Sequence, residues 1–375
     1  MTSIKAAFPK FAEVAPLQPP TGFPDADVIV PTTVDEVAEA LAWASEQGAT
    51  VVPWGGGTHQ GIGYQPPADI VMDMSALNAV EAWEPEDLTV VVQAGLPIGQ
   101  LETMLAGQGQ TALLPEQPGA GTVGGSVAVG ASGYRRGRYG PTRDRLLEVT
   151  LVTGDGRVVR GGARVVKNVT GYDLPRLATG SLGSLGLITS VCLKLWPSPA
   201  AAATVRVDDP AIAAAIAWRP LAVLETRDGV DVFLGGTPAE VEAQATALGG
   251  DAREGLAWPM APATVSGARW SLRIPIDLTS QAIERLPGSW AFVAQHGVGE
   301  ITCADSSGDL GAASGIREWA EQNGGALVML SGDDAVRQAF DPWGAPPPSL
   351  ELQRRLIARF DPDRVVNRGR LPGGI

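Results

Sequence analysis

Apolar positions near the start of the chain form two patterns, short continuous runs and a helical repeat. Residues 28–53 begin and end with short apolar runs, which predict strands, and between them apolar residues recur every three or four positions, which predicts a helix. Thr33 and Glu36 give a capping-box signal at the start of this helix, and Gly48 is a typical residue at its end. The segment therefore predicts a β-α-β unit, followed by the Gly-rich stretch 55–63.

The same short runs continue toward residue 197, broken repeatedly by glycine and proline. The apolar runs 70–73 and 89–92 predict two strands, and Pro97 opens a helix predicted to end near Ala106. Two further runs flank Gly154-Asp155-Gly156, and this turn sequence predicts a β-hairpin between them. The first part of the chain is therefore predicted to mix many short strands with helices.

A composition shift at Pro197-Ser198-Pro199 predicts the boundary of a second domain. Between residues 204 and 330, runs of strand length alternate with helical repeats, which is typical of an α+β sheet with helices on one face. Pro275 interrupts one of these runs, so we expect the strand 272–276 to lie at an edge of the sheet. A final helix is predicted over residues 350–359, followed by an irregular tail.

The length, the net charge and the longest apolar stretches exclude further classes of protein. The chain has 375 residues, enough for two or three domains at about 150 residues each. Its 41 acidic and 28 basic residues give a net charge of −13, which argues against nucleic-acid binding. No apolar stretch reaches the roughly 18 residues of a membrane-spanning helix, and no signal peptide is recognised. We therefore expect a cytoplasmic protein without direct membrane insertion, which partners could hold at the inner face of the membrane.

Few residues are available for metal chemistry. The two cysteines, Cys192 and Cys303, are too few for a four-thiolate zinc or iron–sulfur site, and no disulfide framework is indicated. The two histidines, His59 and His296, argue against a His-rich metal centre. We therefore expect no metal ligands in this chain.

Two Gly-rich loops carry the clearest candidate chemistry. Residues 53–63 follow a predicted strand, and glycines without Cβ atoms let successive N–H groups converge on an anion such as a pyrophosphate. Taken alone, this loop is equally consistent with an ordinary turn. Residues 119–124 match G-x-G-x-x-G, but Pro115 and Pro118 stand where a strand should precede the motif, so a Rossmann site for NAD is rejected.

Two other segments hold candidate ligand-binding residues. Residues 135–145 contain five arginines, which could grip a phosphate or a carboxylate, although for most of them a solvated, partner-facing loop that pairs with the acidic excess is favoured. Residues 180–189 place three glycines at a spacing of three before an apolar strand. This pattern indicates backbone packed closely against a ligand or against a neighbouring strand.

The order of four motifs along the chain is more specific than any one of them. They are Pro53-x-Gly-Gly-Gly-Thr, Thr122-Val-Gly-Gly-Ser-Val-Ala, Lys167-Asn-x-x-Gly-Tyr-Asp and Gly180-Ser-Leu-Gly-x-Leu-Gly-x-Ile-Thr. Over about residues 28–197 the chain resembles the FAD-binding domain of the vanillyl-alcohol oxidase, or PCMH-type, family. The short second domain and the tail from Phe360 resemble the E-type subunits of bacterial glycolate oxidase (glycolate dehydrogenase), with Asn367-Arg368-Gly369 where that group usually has Asn-Pro-Gly.

The resemblance implies an α+β fold. A PCMH-type FAD-binding domain of two α+β subdomains would occupy residues 1–199, and a smaller α+β cap domain residues 200–345. The C-terminal helix and tail, residues 346–375, would return to the FAD-binding domain.

The resemblance also implies that the chain binds FAD. Residues 53–61 would wrap its pyrophosphate, 118–125 would continue that cradle, and the remaining positions would line the ribityl, isoalloxazine and adenine groups. The implied cofactor-binding residues are Pro53, Gly55, Gly56, Gly57, Thr58, His59, Gly61, Pro118, Gly119, Gly121, Thr122, Gly124, Gly125, Ala128, Ser132, Gly133, Gly186 and Ile188. Relatives that attach flavin through a histidine carry it directly after two glycines, whereas Thr58 intervenes here, so non-covalent FAD is expected.

The implied activity is FAD-dependent oxidation of glycolate to glyoxylate within a complex. The D-type subunits of the family carry a histidine pair that holds a metal and a further histidine near the flavin. The second domain here offers only His296, which we interpret as a core residue. We therefore expect an FAD-binding subunit that relays electrons for, or supports, a catalytic D-type flavoprotein subunit, with an iron–sulfur F-type subunit as acceptor.

Two alternatives stay open at this point. The chain could be a stand-alone FAD-dependent oxidoreductase of a 2-hydroxy acid or another alcohol, with arginines from 135–145 gripping a carboxylate. It could instead be a non-catalytic structural subunit that has lost flavin. The catalytic residues are not predicted.

Overall fold

The structure is a computed structural model that describes residues 4–8, 22–116, 119–164, 171–264 and 266–375. We call residues 22–197 the N-terminal lobe. The helices up to its end are α1 Ile4–Ala7, α2 Val34–Gln47, α3 Ile98–Ala106, α4 Val123–Val129, α5 Arg136–Tyr139 and α6 Leu174–Ala178. The strands are β1 Asp27–Ile29, β2 Val51–Trp54, β3 Ile70–Asp73, β4 Val80–Glu84, β5 Thr89–Gln93, β6 Gln110–Thr111, β7 Leu146–Val152, β8 Val158–Gly162, β9 Leu187–Lys194 and β10 Trp196–Pro197.

Two sheets build the N-terminal lobe. The first is parallel, in the order β1-β3-β2, and α2 crosses between β1 and β2 as the β-α-β pattern predicts. The second is antiparallel, in the order β4-β5-β9-β7-β8, and the predicted hairpin forms its β7–β8 pair. Each sheet has its own apolar core, so the lobe consists of two α+β halves.

The start of α2 differs in one detail from the capping-box prediction. Thr33 Oγ1 accepts the hydrogen bond of the Glu36 N–H at 3.2 Å, as expected. The Glu36 carboxylate, however, accepts from the Thr32 N–H at 2.7 Å, one residue earlier than the motif requires. Gly48 ends the helix in the left-handed region with φ of 66°, as predicted.

Residues 201–339 form the C-terminal lobe. Its strands are β11 Ala201–Val207, β12 Ala222–Thr226, β13 Gly229–Gly236, β14 Asp251–Glu254, β15 Ala268–Arg273, β16 Ala291–Gln295, β17 Glu300–Asp305 and β18 Ala326–Gly332. Its helices are α7 Pro210–Ile216, α8 Pro238–Leu248, α9 Thr279–Arg285, α10 Leu310–Gln322 and α11 Asp334–Ala339, and α12 Leu350–Phe360 follows the lobe.

One antiparallel sheet organises the C-terminal lobe, in the order β14-β11-β13-β12-β16-β17-β15-β18. Helices α8, α9 and α10 cover one face with apolar side chains. On the other face, Leu224, Phe233 and Val293 pack against Tyr134 and Tyr139 of the N-terminal lobe. The C-terminal lobe is thus a one-sided α+β sheet, as the sequence predicts, with its bare face against the N-terminal lobe.

The expected edge position of the strand before Pro275 is wrong. Strand β15 pairs with β17 on one side and with β18 on the other. The proline does not break this ladder, because the strand already ends at Arg273 and Pro275 opens a short 3-10 turn.

The tail after α12 returns to the N-terminal lobe. Val51 and Val366 form a parallel bridge, and the Val51 N–H donates to the Val365 carbonyl at 2.8 Å. Buried Asp361 accepts from the Val365 and Val366 N–H groups, both at 2.9 Å, and so fixes the turn into this segment. The predicted return of the tail is therefore confirmed, whereas the boundaries at 199/200 and 345/346 stay predictions. In the ranges that the structure describes, no helix combines the length and apolar character needed to cross a membrane.

Candidate functional site

A cleft of about 700 Å³ opens between the two sheets of the N-terminal lobe and the tail. The loop after β2 forms one side, and the start of α4 lies beside that loop. The segment before β9 and the tail residues Asn367 and Arg370 complete the wall.

The two Gly-rich loops contact each other so closely that a side chain would not fit between them. A methyl group on Gly56 would overlap the Ala120 carbonyl, and one on Gly124 would overlap Ala94. Thr122 links the same loops, because its hydroxyl lies against Gly55 and accepts from the Gly125 N–H at 3.2 Å. Glycine at these positions therefore leaves backbone, not side chains, on the cleft wall.

The structure brings twelve of the predicted cofactor residues together in this cleft. They are Pro53, Gly55, Gly56, Gly57, Thr58, His59, Thr122, Gly124, Gly125, Ala128, Gly186 and Ile188. They come from three separate stretches of sequence, so the convergence is a property of the fold. Their contact with a cofactor stays a prediction.

Five predicted residues do not line the cleft, and each has other surroundings. The Gly61 carbonyl accepts from Arg337 at 2.7 Å, and the Gly121 carbonyl accepts from the Ile98 N–H at 3.0 Å. Ser132 Oγ accepts from the Thr142 N–H at 3.0 Å. Of the other two, Gly119 is exposed and Gly133 lies against the Glu116 carboxylate. Pro118, Lys167 and Asn168 lie outside the described residues.

Ten further residues, which were not among the named cofactor-binding residues, also line the cleft. They are Trp54, Gln60, Met74, Ala94, Val129, Leu182, Gly183, Leu187, Asn367 and Arg370. Four of them, Trp54, Gln60, Val129 and Leu187, neighbour a predicted residue in sequence. The tail pair is different, because only its resemblance to a family tail could have indicated a place near the cleft.

His59 is a neutral group on the cleft wall. Its Nδ1 lies 2.9 Å from Thr58 Oγ1. Burial lowers the pKa of His59 below its usual value of 6.5, and the positive charges of Arg269 and Arg370 lower it further. The imidazole is therefore uncharged at neutral pH.

The Arg-rich segment 135–145 is largely paired within the chain. Arg135 Nε donates to Glu116 at 2.8 Å, and Arg136 pairs with Glu300 on β17. Arg145 is buried and donates to the Leu113 carbonyl at 2.9 Å. The expected pairing with acidic residues thus holds for Arg135 and Arg136, with partners in their own chain, whereas the expectation of a solvated position is wrong for Arg145, which is buried.

Arg269 is a half-buried cation on the sheet face that meets the N-terminal lobe. Its neighbour Trp270 packs among the helices, so the alternation of β15 directs Arg269 the other way. Among the described residues its Nε has no hydrogen-bond partner, and no ion pair involves its guanidinium. Its charge lowers the pKa of His59 and acts on Tyr134, whose own pKa burial and Glu116 raise to about 12.

His296 lies on the other side of the same sheet. Its Nε2 is 2.7 Å from Glu225 Oε2, and both side chains are largely buried. Leu224 packs toward Tyr134, so its neighbour Glu225 points to the helix-covered face. The histidine is thus a partnered residue remote from the cleft.

Comparison with known proteins shows which kind of domain the N-terminal lobe resembles. Residues 26–162 match the family model described as an FAD binding domain. Residues 26–162 are therefore similar to FAD binding domains. Alkyldihydroxyacetonephosphate synthase has a similar fold, with a TM-score of 0.64 over 91% of this chain and 76% of that chain at 16% identity. The α+β fold expected from the motifs, and FAD as the cofactor, are confirmed.

Several relatives of known name are oxidase subunits or dehydrogenases. The glycolate oxidase subunit GlcE of Escherichia coli is 29% identical over 323 residues, which are 80% of this chain and 86% of that protein. The mitochondrial D-lactate dehydrogenase [cytochrome] of Arabidopsis thaliana is 36% identical over 46% of this chain but only 30% of its own length. The glycolate oxidase subunit GlcD of Bacillus subtilis is 34% identical over 47% of this chain and 38% of its own. The chain thus spans less than two thirds of two of these relatives and most of the E-type subunit.

Proposed function

We propose that the chain is the FAD-binding subunit of a glycolate oxidase-type complex that converts glycolate to glyoxylate. The observation that carries the proposal is the extent of similarity to the E-type subunit, which covers 80% of this chain and so reaches well beyond the FAD-binding domain of residues 26–162. The proposed partners are a catalytic D-type flavoprotein subunit and an iron–sulfur F-type subunit.

The proposed FAD site is the cleft. The backbone of the two Gly-rich loops lines the cleft, where it could contact a flat or phosphorylated ligand, and a methyl group at Gly56 would overlap the Ala120 carbonyl of the second loop. The side chains of Thr58, Gln60 and His59 supply polar atoms along the wall. Neutral His59, hydrogen-bonded to Thr58, suits non-covalent contact with the cofactor.

Bound FAD supplies the capacity to take up the two electrons of an oxidised alcohol. Oxidation also needs a group that accepts the substrate proton. Of the two histidines of the chain, His59 is already hydrogen-bonded in the cleft and His296 lies across the sheet. These placements support a subunit that holds a flavin while a D-type partner handles the substrate.

Arg269 favours a second candidate, a stand-alone FAD-dependent oxidoreductase of 2-hydroxy acids. A guanidinium without a counter-ion, directed toward the N-terminal lobe, suits a substrate carboxylate. It replaces the arginines of 135–145 in this role, because Arg135 and Arg136 already pair with carboxylates.

An anaerobic absorption spectrum separates the two candidates. We expect the purified chain to show flavin bands that glycolate leaves unchanged, and that glycolate bleaches once the D-type subunit is added. Bleaching by glycolate alone, lost in Arg269→Gln but kept in Arg273→Gln, would establish the second candidate instead. Absence of flavin from the folded chain would contradict both and leave a structural subunit.

A further inference from the structure

The loop 59–64, between β2 and β3, is held almost entirely by residues near the C-terminus. The His59 and Ile62 carbonyls accept from Arg370 Nη2 and Nε at 2.9 and 3.0 Å. The Gly61 and Gly63 carbonyls accept from Arg337 Nη1 and Nη2 at 2.7 and 3.1 Å. Two guanidinium groups, one from α11 and one from the tail, therefore support a single short loop.

Tyr64 closes the same loop with two further contacts. Its N–H donates to the Arg370 carbonyl at 3.1 Å, and its hydroxyl donates to Asp341. The tail itself is anchored, because Asn367 Nδ2 donates to the Leu182 carbonyl at 2.5 Å across the cleft wall. The loop thus takes its shape from segments that lie more than 270 positions later in the chain.

In the part of the chain that the structure describes, Arg370 has no counter-ion, and Arg337 forms no ion pair, although the charge of Asp334 partly offsets the lowering of its pKa by burial. Arg370 is 3% exposed, and its partners are neutral oxygens of His59, Gln60, Ile62 and Asn367. No carboxylate lies within 4.0 Å of either arginine. Burial and the nearby Arg337 lower the pKa of Arg370 to about 10, so it remains charged at neutral pH.

A buried cation is costly when no anion compensates it. A glutamine could donate to one or two of these carbonyls without that cost, so hydrogen bonding alone does not account for arginine here. Arg370 lines the cleft beside the Gly-rich loop, and FAD carries an anionic diphosphate.

We propose that Arg370, assisted by Arg337, is the positioning residue for the FAD diphosphate, and that the bound diphosphate supplies the missing negative charge. This inference rests on the proposed FAD site in the cleft. Because the same arginines tie the tail to loop 59–64, FAD binding and docking of the tail stabilise each other by the same free energy.

The test is a ligand titration of the apo chain. FAD, ADP and riboflavin are titrated into the wild type, into Arg370→Gln and into Arg368→Gln. Arg368→Gln is the control, because it removes an exposed guanidinium from the same tail. We expect Arg370→Gln to lower the affinity for FAD and for ADP by about tenfold or more, because a charge-assisted contact is lost. Its affinity for riboflavin, which has no diphosphate, should fall by less than about twofold. Arg368→Gln should bind all three ligands like the wild type.

Two readouts separate this role from a purely structural one. The ratio of FAD affinity to riboflavin affinity should fall in Arg370→Gln, whereas loss of the hydrogen bonds to the His59 and Ile62 carbonyls alone would weaken the binding of both ligands alike. FAD should protect the tail of the wild type from proteolysis more than it protects Arg370→Gln. Equal weakening of riboflavin and FAD, or a lower apo melting temperature with unchanged FAD affinity, would overturn the proposal.

Other outcomes remain decisive. If Arg370→Gln does not fold, Arg337→Gln replaces the half-buried arginine on α11 instead. It should also lower the affinity for FAD and ADP more than the affinity for riboflavin, by a smaller factor. Wild type that binds no FAD would overturn the proposed function as well. If the wild type, Arg370→Gln and Arg337→Gln all bind FAD with equal affinity, only this inference is overturned.

Discussion

Arg136 and Glu300 form an ion pair that joins α5 of the N-terminal lobe to β17 of the C-terminal lobe. Both side chains are largely buried, and Glu300 also accepts from Ser271 Oγ at 3.3 Å. The pair therefore links the two lobes on the same side of the sheet as Arg269.

Removal of one member of this pair should destabilise the contact between the lobes. We expect Arg136→Met or Glu300→Gln to lower the free energy of unfolding, because each leaves the other charge without a partner. The double variant should recover part of the loss, with a coupling of about 1 kcal/mol in a denaturant-based double-mutant cycle. Strictly additive effects of the two substitutions would contradict a direct interaction.

The close contact between the two Gly-rich loops predicts a cofactor-binding defect in Gly56→Ala. The added methyl group would overlap the Ala120 carbonyl, so the loops must separate. We expect at least about a tenfold loss of FAD affinity, since separated loops misplace the backbone that contacts the cofactor. Fluorescence titration with FAD measures the loss.

Gly315→Ala is the matched control for that variant. Gly315 lies inside α10, and a methyl group there meets no atom within 4 Å. The change should keep FAD affinity and raise stability by up to about 1 kcal/mol, because alanine favours a helix. Equal FAD affinity in both variants would argue against the cleft as the FAD site.

The lowered pKa of His59 predicts a pH-dependent contribution to stability. Below the ordinary pKa of 6.5 the unfolded chain binds a proton that the folded chain takes up only at lower pH. His59 therefore favours the folded state above that pH, and this contribution is lost as the pH falls through the window between the two pKa values.

Urea unfolding between neutral pH and pH values below 6.5 measures this effect. We expect the wild type to lose more stability on acidification than His59→Gln does. His296→Gln should retain the loss assigned to His59, since that histidine is unchanged. A wild type and His59→Gln with parallel pH profiles would contradict the assignment.

Arg269 should be a cost to stability in the chain alone. Arg269→Met removes a half-buried charge without a counter-ion and keeps a side chain of similar length, so its melting temperature should rise. Arg273→Met, at an exposed site on the same strand, should change it little. A fall in the melting temperature of Arg269→Met would indicate that its charge has a stabilising partner.

The local part of the site could be predicted from sequence, because its residues lie in continuous Gly-rich motifs. Gly55 to His59 and Thr122 to Gly125 follow strand and loop signals that depend only on neighbouring residues. Arg337 and Arg370 carry no such signal, because they reach the loop across 274 or more positions of sequence. Only packing of the complete chain reveals their place.

The fold shows the same division between local and distant effects. Helix α8 begins and ends at signals carried by neighbouring residues, because Pro238 opens it and Gly249 ends it in the left-handed region. Strand β14, Asp251–Glu254, carries no such signal, since it is polar and exposed throughout. The central position of β15 depends on pairing with β17 and β18, which a pattern within one segment does not specify.

The bridge between Val51 and Val366 has a consequence for the order of synthesis. The loop after β2 leaves the ribosome early, but the residues that support it are translated some 300 positions later. A nascent chain that ends before residue 337 has both Gly-rich loops but neither of the arginines that hold loop 59–64. If the cleft is the FAD site as proposed, the nascent chain should bind FAD firmly only after residue 370 has been translated.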